Sequence, residues 1–575
     1  MSAIAVSTAV SSGRGELVSV RRRSLLMAKW RVLWVVAAFT VIAIAALLRI
    51  MFLGLFEDAP TRQQFGTTLL PERGDIVDRH GVPLARAFPA YALWYNPAAL
   101  GGDGPPLVRS PREVAEELVR IFPDLEVESL TARLKEGRPG YLRRRILPED
   151  ANRIHALGEP ALEFPRETER FYPQGSMAAH ILGFVGADGR GHIGMEQVFD
   201  QRLTDPAQRG TPAALSIDTR VQGALEDELL RGIADTDAKG AAGIVLDVDT
   251  GEVMALASLP SFNPNLIDRA GEGFIFNRVT NQVYELGSTF KPITVAAAID
   301  AGTVTDLSRR YQSNRPLAIG GFQIRDSHAL GASLNVPEAL IHSSNIVTAQ
   351  IADELGSDRL NATMRALGMD QRAQIELPAR GFPIWPKGDW SRITTMTVSY
   401  GHGIAVTPLH LASAYAALVN GGIWRPATLM KVEPGHAAQG RRVFKASTSA
   451  RMRQLLRLIV DLGTGRSANA AGYRVGGKTG SAEKPGEGGY RRTSLVATFA
   501  SAFPMDHPRY VIIIMLDEPQ GTAASSGQRT AAFNAAPIVG RLVPRIGPLL
   551  GVMPDDTRDV DISDLAPLVG RGDGE

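Results

Sequence analysis

The longest apolar stretch of the chain lies near its N-terminus. Residues 32–48 read VLWVVAAFTVIAIAALL, 17 residues without a charge, and the apolar run resumes after Arg49. About 20 apolar residues are enough to span the hydrocarbon core of a bilayer. Six basic residues and one acidic residue precede the run, and this excess predicts a cytoplasmic N-terminus. The pattern therefore predicts a cytoplasmic tail over residues 1–31 and a transmembrane anchor over residues 32–53.

Two other interpretations of this run fit it less well. A cleaved signal peptide has a shorter apolar core that ends at a small-x-small site, and no clear site of that kind follows Leu53. A helix buried in a globular core is the remaining alternative. Because no later segment of the sequence is long and apolar enough to span a bilayer, a single anchor is expected.

Residues 57–215 consist of short mixed segments that are rich in Arg, Pro and Gly and show no repeat. RGDIVDRHGVPLA (73–85) predicts two short strands around a His-Gly turn. EVAEELVRIF (113–122) has the spacing of an amphipathic helix. Segments 170–186 and 191–203 mix strand, turn and helix patterns. No catalytic set stands out, so we expect an irregular, elongated spacer or docking domain, called the pedestal below.

From Ser216 onward the pattern becomes regular. TRVQGALEDELLRGI (219–233) predicts an amphipathic helix, and AGIVLDVDTGEVMALAS (242–258) predicts a hairpin with two apolar strands. Several helical stretches follow, and after them come three strand-like segments and a closing helix, at 473–482, 494–503, 509–519 and 530–548. This order describes an α+β domain, predicted over residues 216–553. The acidic tail, residues 554–575, is predicted to be disordered.

Composition excludes several classes of function. A net charge of +2 over 575 residues gives no basis for a nucleic-acid footprint. The absence of cysteine excludes disulfides, thiolate catalysis and cysteine-ligated zinc. The histidines show no His-Glu-x-x-His or comparable ligand spacing, so structural roles are expected for His180, His192 and His402, and no metal is predicted.

Ser288 and Lys291 stand in the stretch YELGSTFKP, residues 284–292. The chain has nine lysines against 53 arginines, so a lysine here suggests a role that arginine does not fill. Lysine loses its proton when it is buried or close to another cation, and it then acts as a base. Pro292 lacks a backbone N–H, so a helix must begin close to Ser288, and Ser288 and Lys291 then share one face. A nucleophile and its base are predicted, although Ser-x-x-Lys alone also arises by chance.

Two further motifs support a joint catalytic role. HSSNIVTAQ (342–350) supplies Ser343 and Asn345, whose side chains would point the same way from a short loop to relay a proton and to bond a substrate amide. GGKTGSAE supplies Lys478 on a strand flanked by glycines, which let a peptide backbone lie alongside. Lys478 also adds the nearby cation that would help to keep Lys291 neutral. Alone, the first motif is more often a helix cap and the second a turn.

Ser-x-x-Lys, Ser-x-Asn and Lys-Thr-Gly, in this order, are the set of motifs found in penicillin-binding proteins and β-lactamases. The chain resembles the class B penicillin-binding proteins, the bacterial peptidoglycan transpeptidases, over nearly its whole length. Its pedestal carries the resemblance in RGDIVDRHGVPLA, RFYPQGSMAAHILGFVG and GHIGMEQVFD. The later part carries it in SIDTRVQ, SYGHGIAVTPLHLASAYAALVNGG and MLDEP. YELGSTFKP and the DEP ending are closer to the division-specific branch, although Leu286 replaces the usual Pro and Ser481 the usual Thr.

The resemblance implies a penicillin-recognising fold, an antiparallel sheet flanked by helices, and an acyl-enzyme mechanism. Ser288 would attack the carbonyl between the two terminal D-alanines of a peptidoglycan stem peptide, while Lys291 takes the hydroxyl proton. D-Alanine would leave with a proton passed through Ser343, helped by Lys478. Asn345 would bind the amide of the acyl chain. An amine of a neighbouring stem peptide, expected to be diaminopimelate, would then take the acyl group and form a cross-link.

The resemblance also assigns the strand of the third motif, Thr479, Gly480 and Ser481, to substrate binding. Thr479 and Ser481 would bind the carboxylate of the substrate or of a β-lactam antibiotic. The backbone N–H groups of Ser288 and Ser481 would hold the oxyanion, an interaction commonly worth about 3–4 kcal/mol per donor. The resemblance implies no cofactor.

The same resemblance implies a single-pass protein of the bacterial inner membrane, with its catalytic domain in the periplasm at the division septum. The implied partners are the lipid-linked glycan polymerase FtsW and other divisome proteins, and no nucleic acid. An elongation-specific transpeptidase is the main alternative. A D,D-carboxypeptidase or β-lactamase is disfavoured by the anchor, the pedestal and the length. A membrane β-lactam sensor is disfavoured because such sensors carry more membrane segments.

Overall fold

The computed structural model describes residues 30–31, 33–47, 49, 73–101, 106–186, 188–269, 271–486 and 489–569. Residues 33–47 are helical. Among the described residues, no helix is both long enough and apolar enough to cross a membrane. Most of the predicted cytoplasmic tail, and residues 32, 48 and 50–53 of the predicted anchor, lie outside the described residues.

The elements are numbered in chain order. The strands are β1 (Ile76–Val77), β2 (Pro83–Tyr95), β3 (Gly140–Ile146), β4 (Leu162–Glu163), β5 (Arg166–Phe171), β6 (Ala213–Ala214), β7 (Gly240–Asp247), β8 (Val253–Leu259), β9 (Tyr311–Gln312), β10 (Leu317–Ile319), β11 (Phe322–Ile324), β12 (Ser333–Leu334), β13 (Ile423–Trp424), β14 (Arg441–Arg442), β15 (Gly476–Gly486), β16 (Gly489–Phe503) and β17 (Tyr510–Asp517). The α-helices are α1 (Pro111–Ile121), α2 (Val127–Lys135), α3 (Pro148–His155), α4 (Ala179–Leu182), α5 (Gly194–Val198), α6 (Asp200–Thr204), α7 (Thr219–Thr236), α8 (Glu272–Ile275), α9 (Lys291–Asp300), α10 (Val336–Ile341), α11 (Asn345–Leu355), α12 (Ser357–Ala366), α13 (Arg392–Ser399), α14 (Pro408–Val419), α15 (Ala446–Leu462) and α16 (Ala535–Ile546).

The chain forms two compact units. The first contains the described residues within 1–69 and 91–167, and the second contains those within 70–90 and 168–575. These units do not coincide with the predicted division at residue 216, because the second unit also takes in residues 70–90 and 168–215 of the predicted pedestal. The predicted domain boundaries stay predictions.

The described residues within 91–167 of the first unit fold around one apolar cluster that α1, α2, α3 and β3 share. Helix α1 shows why this segment is helical. Ser110 and Glu113 form a reciprocal capping box at its N-terminus, with Pro111 in the first turn, where a missing N–H costs nothing. Val114 and Leu118 are buried and lie four residues apart, so one face of the helix packs against the cluster.

Three segments of the second unit, the ones that resemble pedestal motifs, are joined by a buried ionic triad. Glu196 is fully buried, and its two carboxylate oxygens each lie 2.7 Å from an arginine Nε, one of Arg73 and one of Arg170. Arg170 also donates to the carbonyl of Gly74 at 2.8 Å. Because buried charges are stable only when they are paired, each of these side chains depends on the others.

A five-stranded antiparallel sheet is the centre of the second unit. The strand order is β15-β16-β17-β7-β8, so the predicted hairpin, β7 and β8, and the three later strands form one sheet. In β17, Ile512 and Ile514 pack into the apolar cluster that contains residues of α7 and α16. Ile513 and Met515 pack into the cluster that contains residues of α9 and α14. Both faces of the sheet are covered, which explains the unbroken apolar run in the sequence.

The acidic C-terminal tail is ordered where the structure describes it, so the prediction of disorder is wrong for residues 554–569. Asp559 pairs with Arg457 of α15 at 2.7 Å, and Leu565 is buried in the main apolar cluster. The prediction relied on acidic composition, but the acids face arginines on α15 and the leucine fills an apolar site. Residues 570–575 lie outside the described residues.

Candidate active site

The start of helix α9 brings Ser288 and Lys291 onto one turn. Gly287–Phe290 form a single 3-10 turn, and α9 follows directly from Lys291, so the predicted helix start beside Ser288 is confirmed. Ser288 is partly exposed, whereas Lys291 is fully buried. In the part of the chain that the structure describes, no hydrogen bond engages Ser288 Oγ, so its hydroxyl is available to a ligand.

Glycines allow this turn to lie directly against strand β15. Gly287 has a φ of +55°, a left-handed conformation that favours glycine. A Cβ atom on Gly480 would lie 2.4 Å from the carbonyl oxygen of Leu286, closer than any side chain tolerates. The backbone of the Lys-Thr-Gly motif therefore packs against the backbone of the Ser-x-x-Lys motif.

The two buried lysines converge on Ser343. Lys291 Nζ donates to the Ser343 carbonyl oxygen and lies 3.1 Å from Ser343 Oγ. Lys478 Nζ lies 2.9 Å from the same Oγ. Ser343 has a φ of +61°, which non-glycine residues rarely adopt and which persists where the surrounding structure holds it. The sequence motifs that supply these three residues thus meet in one hydrogen-bonded path.

Burial shifts the proton affinity of both lysines. It lowers the pKa of Lys478 to about 7. For Lys291, burial and then the nearby Lys478 lower the pKa well below its ordinary value, while Asp326 acts in the opposite direction. A neutral amine can accept a proton, so the lowered pKa favours the form of Lys291 that a general base needs.

Asp326 fixes the loop of the Ser-x-Asn motif. One of its carboxylate oxygens accepts a hydrogen bond from Ser344 Oγ at 2.7 Å. The other accepts from the backbone N–H groups of Asn345, at 2.5 Å, and Ile346, at 3.1 Å, which lie in the first turn of α11. A carboxylate is favoured at a helix N-terminus, and here it also locks the residues that follow Ser343. Asn345 Nδ2 donates to the carbonyl of Arg325 at 2.9 Å.

The hydroxyl groups of the third motif have separate partners. Thr479 Oγ1 lies 2.9 Å from Thr464 Oγ1, which follows α15 in the chain. Ser481 Oγ accepts from the backbone N–H of Ala531 at 3.1 Å. Both Thr479 and Ser481 lie on β15, which among the described strands pairs with β16 only. The unpaired edge is where an extended peptide can add.

All eight residues singled out from the sequence belong to this one region of the second unit. Two further residues of the site, Asp326 and Thr464, lie outside the three motifs. Asp326 accepts from the backbone N–H of Asn345, and Thr464 is hydrogen-bonded to Thr479. A third is Tyr415, whose hydroxyl donates to the Thr289 carbonyl at 2.8 Å from within the core. Gly401 belongs to the SYGHG stretch, and a Cβ there would lie 2.2 Å from the Gly287 carbonyl. Only Gly401 had a sequence signal, through the stretch that contains it.

Comparison with known proteins agrees with this arrangement. A family model described as the penicillin-binding protein transpeptidase domain matches residues 241–537, and the penicillin-binding protein dimerisation domain matches residues 68–208. The probable peptidoglycan D,D-transpeptidase FtsI of Caulobacter vibrioides is 39% identical over 490 residues, which cover 84% of this chain and 82% of that protein. The peptidoglycan D,D-transpeptidase FtsI of Escherichia coli K12 is 31% identical over 529 residues, covering 87% and 88%.

Among solved structures, penicillin-binding protein 3 of Mycobacterium tuberculosis complexed with aztreonam matches with a TM-score of 0.66 at 24% identity. The match covers 86% of this chain and 99% of that one, and it supports the fold. The fold and the three converging motifs define a penicillin-recognising serine acyltransferase. The chain belongs to the penicillin-binding protein transpeptidase family, and the resemblance to FtsI-type proteins is confirmed.

Proposed function

We propose that the protein is a peptidoglycan D,D-transpeptidase that cross-links stem peptides at the division septum and is acylated by β-lactam antibiotics. The observation that carries the proposal is the path from Lys291 to Lys478 through Ser343 Oγ, at 3.1 and 2.9 Å, beside the accessible Ser288. Relatives named peptidoglycan D,D-transpeptidase FtsI support the substrate and the septal role.

In the acylation step, Ser288 Oγ attacks the carbonyl between the two terminal D-alanines, and Lys291 accepts the hydroxyl proton. The backbone N–H groups of Ser288 and Ser481 stabilise the oxyanion. As the peptide bond breaks, the proton taken up by Lys291 passes through the Ser343 hydroxyl to the departing D-alanine nitrogen, so Lys291 is neutral again, while Lys478 donates a hydrogen bond to that hydroxyl. The acyl chain is now an ester of Ser288.

Substrate contacts follow from the same geometry. Thr479 and Ser481 present hydroxyl groups for the carboxylate of the substrate or of a β-lactam, and Gly480 lets the substrate backbone approach β15. Asn345 offers its side-chain amide to the acyl chain. An amine from a neighbouring stem peptide, with diaminopimelate as the expected donor of that amine, then replaces Ser288 and completes the cross-link.

The setting of this reaction is also part of the proposal. Residues 32–53 anchor the protein in the inner membrane, residues 1–31 face the cytoplasm, and Ser288 lies in the periplasm. The pedestal covers residues 57–215 and the transpeptidase domain residues 216–553. FtsW and other divisome proteins are the proposed partners. The positive charges before residue 32 and the FtsI-type relatives support this setting.

Labelling with a fluorescent penicillin tests the nucleophile. The full-length wild type is expected to form a stable covalent adduct, and Ser288→Ala is expected to form none. Ser308→Ala, a change at an exposed serine of the same unit, serves as the matched control and should label normally. Equal labelling of Ser288→Ala and wild type would overturn the proposal. Loss of the wild-type adduct within seconds, with turnover of the drug, would instead identify a β-lactamase.

Cell shape tests the septal role separately from the chemistry. Depletion of the protein in its own cells is expected to give filaments with blocked septa. Round, swollen cells would assign the protein to elongation, even if penicillin labelling of Ser288 succeeds.

A further inference from the structure

A cavity of about 600 Å³ lies beside the proposed active site. Its wall includes Thr464, which is hydrogen-bonded to Thr479, and His342, which directly precedes Ser343. Ligand sites commonly enclose ~300–1,000 Å³. The cavity therefore has room for a ligand much larger than a departing D-alanine.

Arg466 gives this cavity its charge. Among its lining residues in the described chain there is no carboxylate, and burial lowers the pKa of the one histidine, His342, so that it is neutral at neutral pH. Arg466 is exposed and, within the residues that the structure describes, has neither an ion pair nor a hydrogen bond for its guanidinium. A guanidinium with unused donors matches a carboxylate in shape and charge. The wall is otherwise neutral, with Phe533 and Leu462 as its large apolar members.

We propose that this cavity binds the acceptor stem peptide, with the C-terminal carboxylate of that peptide on Arg466. The inference rests on the proposed transpeptidase function and names the second substrate of the same site. The nucleophile that opens an acyl-enzyme enters on the side from which the leaving group departed, because the two half-reactions are mirror steps. Thr479 would hold the leaving D-alanine. Thr464, which is hydrogen-bonded to Thr479, lines the cavity, so the cavity lies on the side of the leaving group.

The position suits the acyl transfer itself. The acceptor amine nitrogen forms a bond to the acyl carbon, the ester bond to Ser288 Oγ breaks, and the proton lost by the amine returns to Ser288 Oγ through Lys291. No oxidant, reductant or further reactant is needed. Arg466 takes no part in these bond changes, so it acts as a binding residue for one substrate only.

Competing acceptors test the proposal. Full-length protein is given a synthetic stem pentapeptide ending in D-Ala-D-Ala as donor, and a stem tetrapeptide acceptor ending either in a free carboxylate or in a carboxamide. Cross-linked product is measured by mass spectrometry. Arg466→Ala is expected to lower kcat/KM for the carboxylate acceptor by about tenfold or more, the usual scale for a hydrogen-bonded charge, with no change for the carboxamide. Penicillin acylation should be unchanged.

The matched variant is Arg466→Lys, which keeps the charge and should retain most of the preference for the carboxylate. Normal penicillin acylation of Arg466→Ala would show that the variant is folded. An equal loss with both acceptors, or no loss with either, would overturn the acceptor site while leaving the proposed function intact. If the wild type is not acylated by penicillin or by the donor, the proposed function itself fails.

Discussion

Two places in the second unit bury a pair of basic side chains, but the group that the two side chains share is an anion in one place and a neutral hydroxyl in the other. Near the N-terminal end, Arg73 and Arg170 share the carboxylate of Glu196 at 2.7 Å each. In the candidate active site, Lys291 and Lys478 share the hydroxyl of Ser343, at 3.1 and 2.9 Å. One pair has a buried anion between its members, and the other has a neutral group.

The consequences for protonation differ accordingly. Burial alone would lower the pKa of Arg73, but Glu196 and Asp200 raise it above the ordinary value, so the guanidinium stays charged. Burial lowers the pKa of Lys291 and of Lys478, and Lys478 lowers that of Lys291 further. The arginine pair therefore stabilises structure, whereas the lysine pair is able to exchange protons. This is a physical reason for lysine at these two sites in a chain with nine lysines and 53 arginines.

The largest expected effect comes from replacing Lys291 by arginine. Lys291→Arg keeps a cation but removes the base, because arginine does not lose its proton in proteins. Loss of a positioned general base commonly costs 10²–10⁴-fold, so the second-order rate of penicillin acylation should fall by about that factor. Lys445→Arg, at an exposed lysine, is the control and should acylate normally. Acylation of Lys291→Arg at the wild-type rate would remove Lys291 from the mechanism.

The next effect concerns stability and not chemistry. Glu196→Gln leaves the buried Arg170 without its anion and leaves Arg73 with Asp200 alone, and breaking a buried pair commonly costs about 3–5 kcal/mol. The free energy of unfolding should fall on that scale in denaturant titrations, while the folded fraction still reacts with penicillin. Glu354→Gln breaks the half-exposed pair with Arg309 and should cost less than about 1 kcal/mol. Similar losses for both variants would mean that the buried triad contributes no more to the free energy of unfolding than an exposed ion pair.

A smaller effect is expected at Asp326, a carboxylate that both holds the first turn of α11 and raises the pKa of Lys291. Asp326→Asn removes the charge that holds the first turn of α11, and hydrogen bonds to charged groups are worth about 1.5–3 kcal/mol. Acylation at its pH plateau should slow by roughly tenfold. Because Asp326 raises the pKa of Lys291, its loss lowers that pKa further, and the pH at which acylation is half-maximal should move down. Asp306→Asn, at an exposed acid, should change neither quantity.

The smallest effect is expected at the C-terminal tail. Arg457 is nearly buried, but its partner Asp559 is partly exposed, so solvent screens the pair. Asp559→Asn should lower the free energy of unfolding by less than about 1 kcal/mol, because Arg457 keeps its bond to the Val475 carbonyl at 3.2 Å. Thermal unfolding of the full-length protein measures this. A loss of unfolding free energy as large as that of Glu196→Gln would show that the Arg457–Asp559 pair behaves as a buried ion pair.

The sequence predicts some parts of the fold and of the candidate site and not others, and the difference depends on whether a part leaves a local sequence pattern. Apolar runs with period two or 3.6 predicted the hairpin, the three strands and the helices, because both faces of the sheet are covered and the patterns are strong. The three motifs predicted which residues meet, because Gly287 and Gly480 reveal close backbone approach. Asp326 was not found, because an acid that caps a distant loop follows no local spacing. The prediction of a disordered tail is wrong for residues 554–569 because acidic composition does not show the arginines of α15 that these acids face.

The pH dependence of acylation tests the central claim most directly, namely that Lys291 is a neutral base at physiological pH. The second-order rate of penicillin acylation is measured for the wild type from acidic to alkaline pH, with folding checked at each point. Because the base works only when it is neutral, the rate should rise with pH through the pKa of Lys291. We expect that limb to be complete well below the ordinary lysine range, near pH 10.4. A rate that keeps rising until pH reaches that range would show that Lys291 is protonated at neutral pH and would contradict the account.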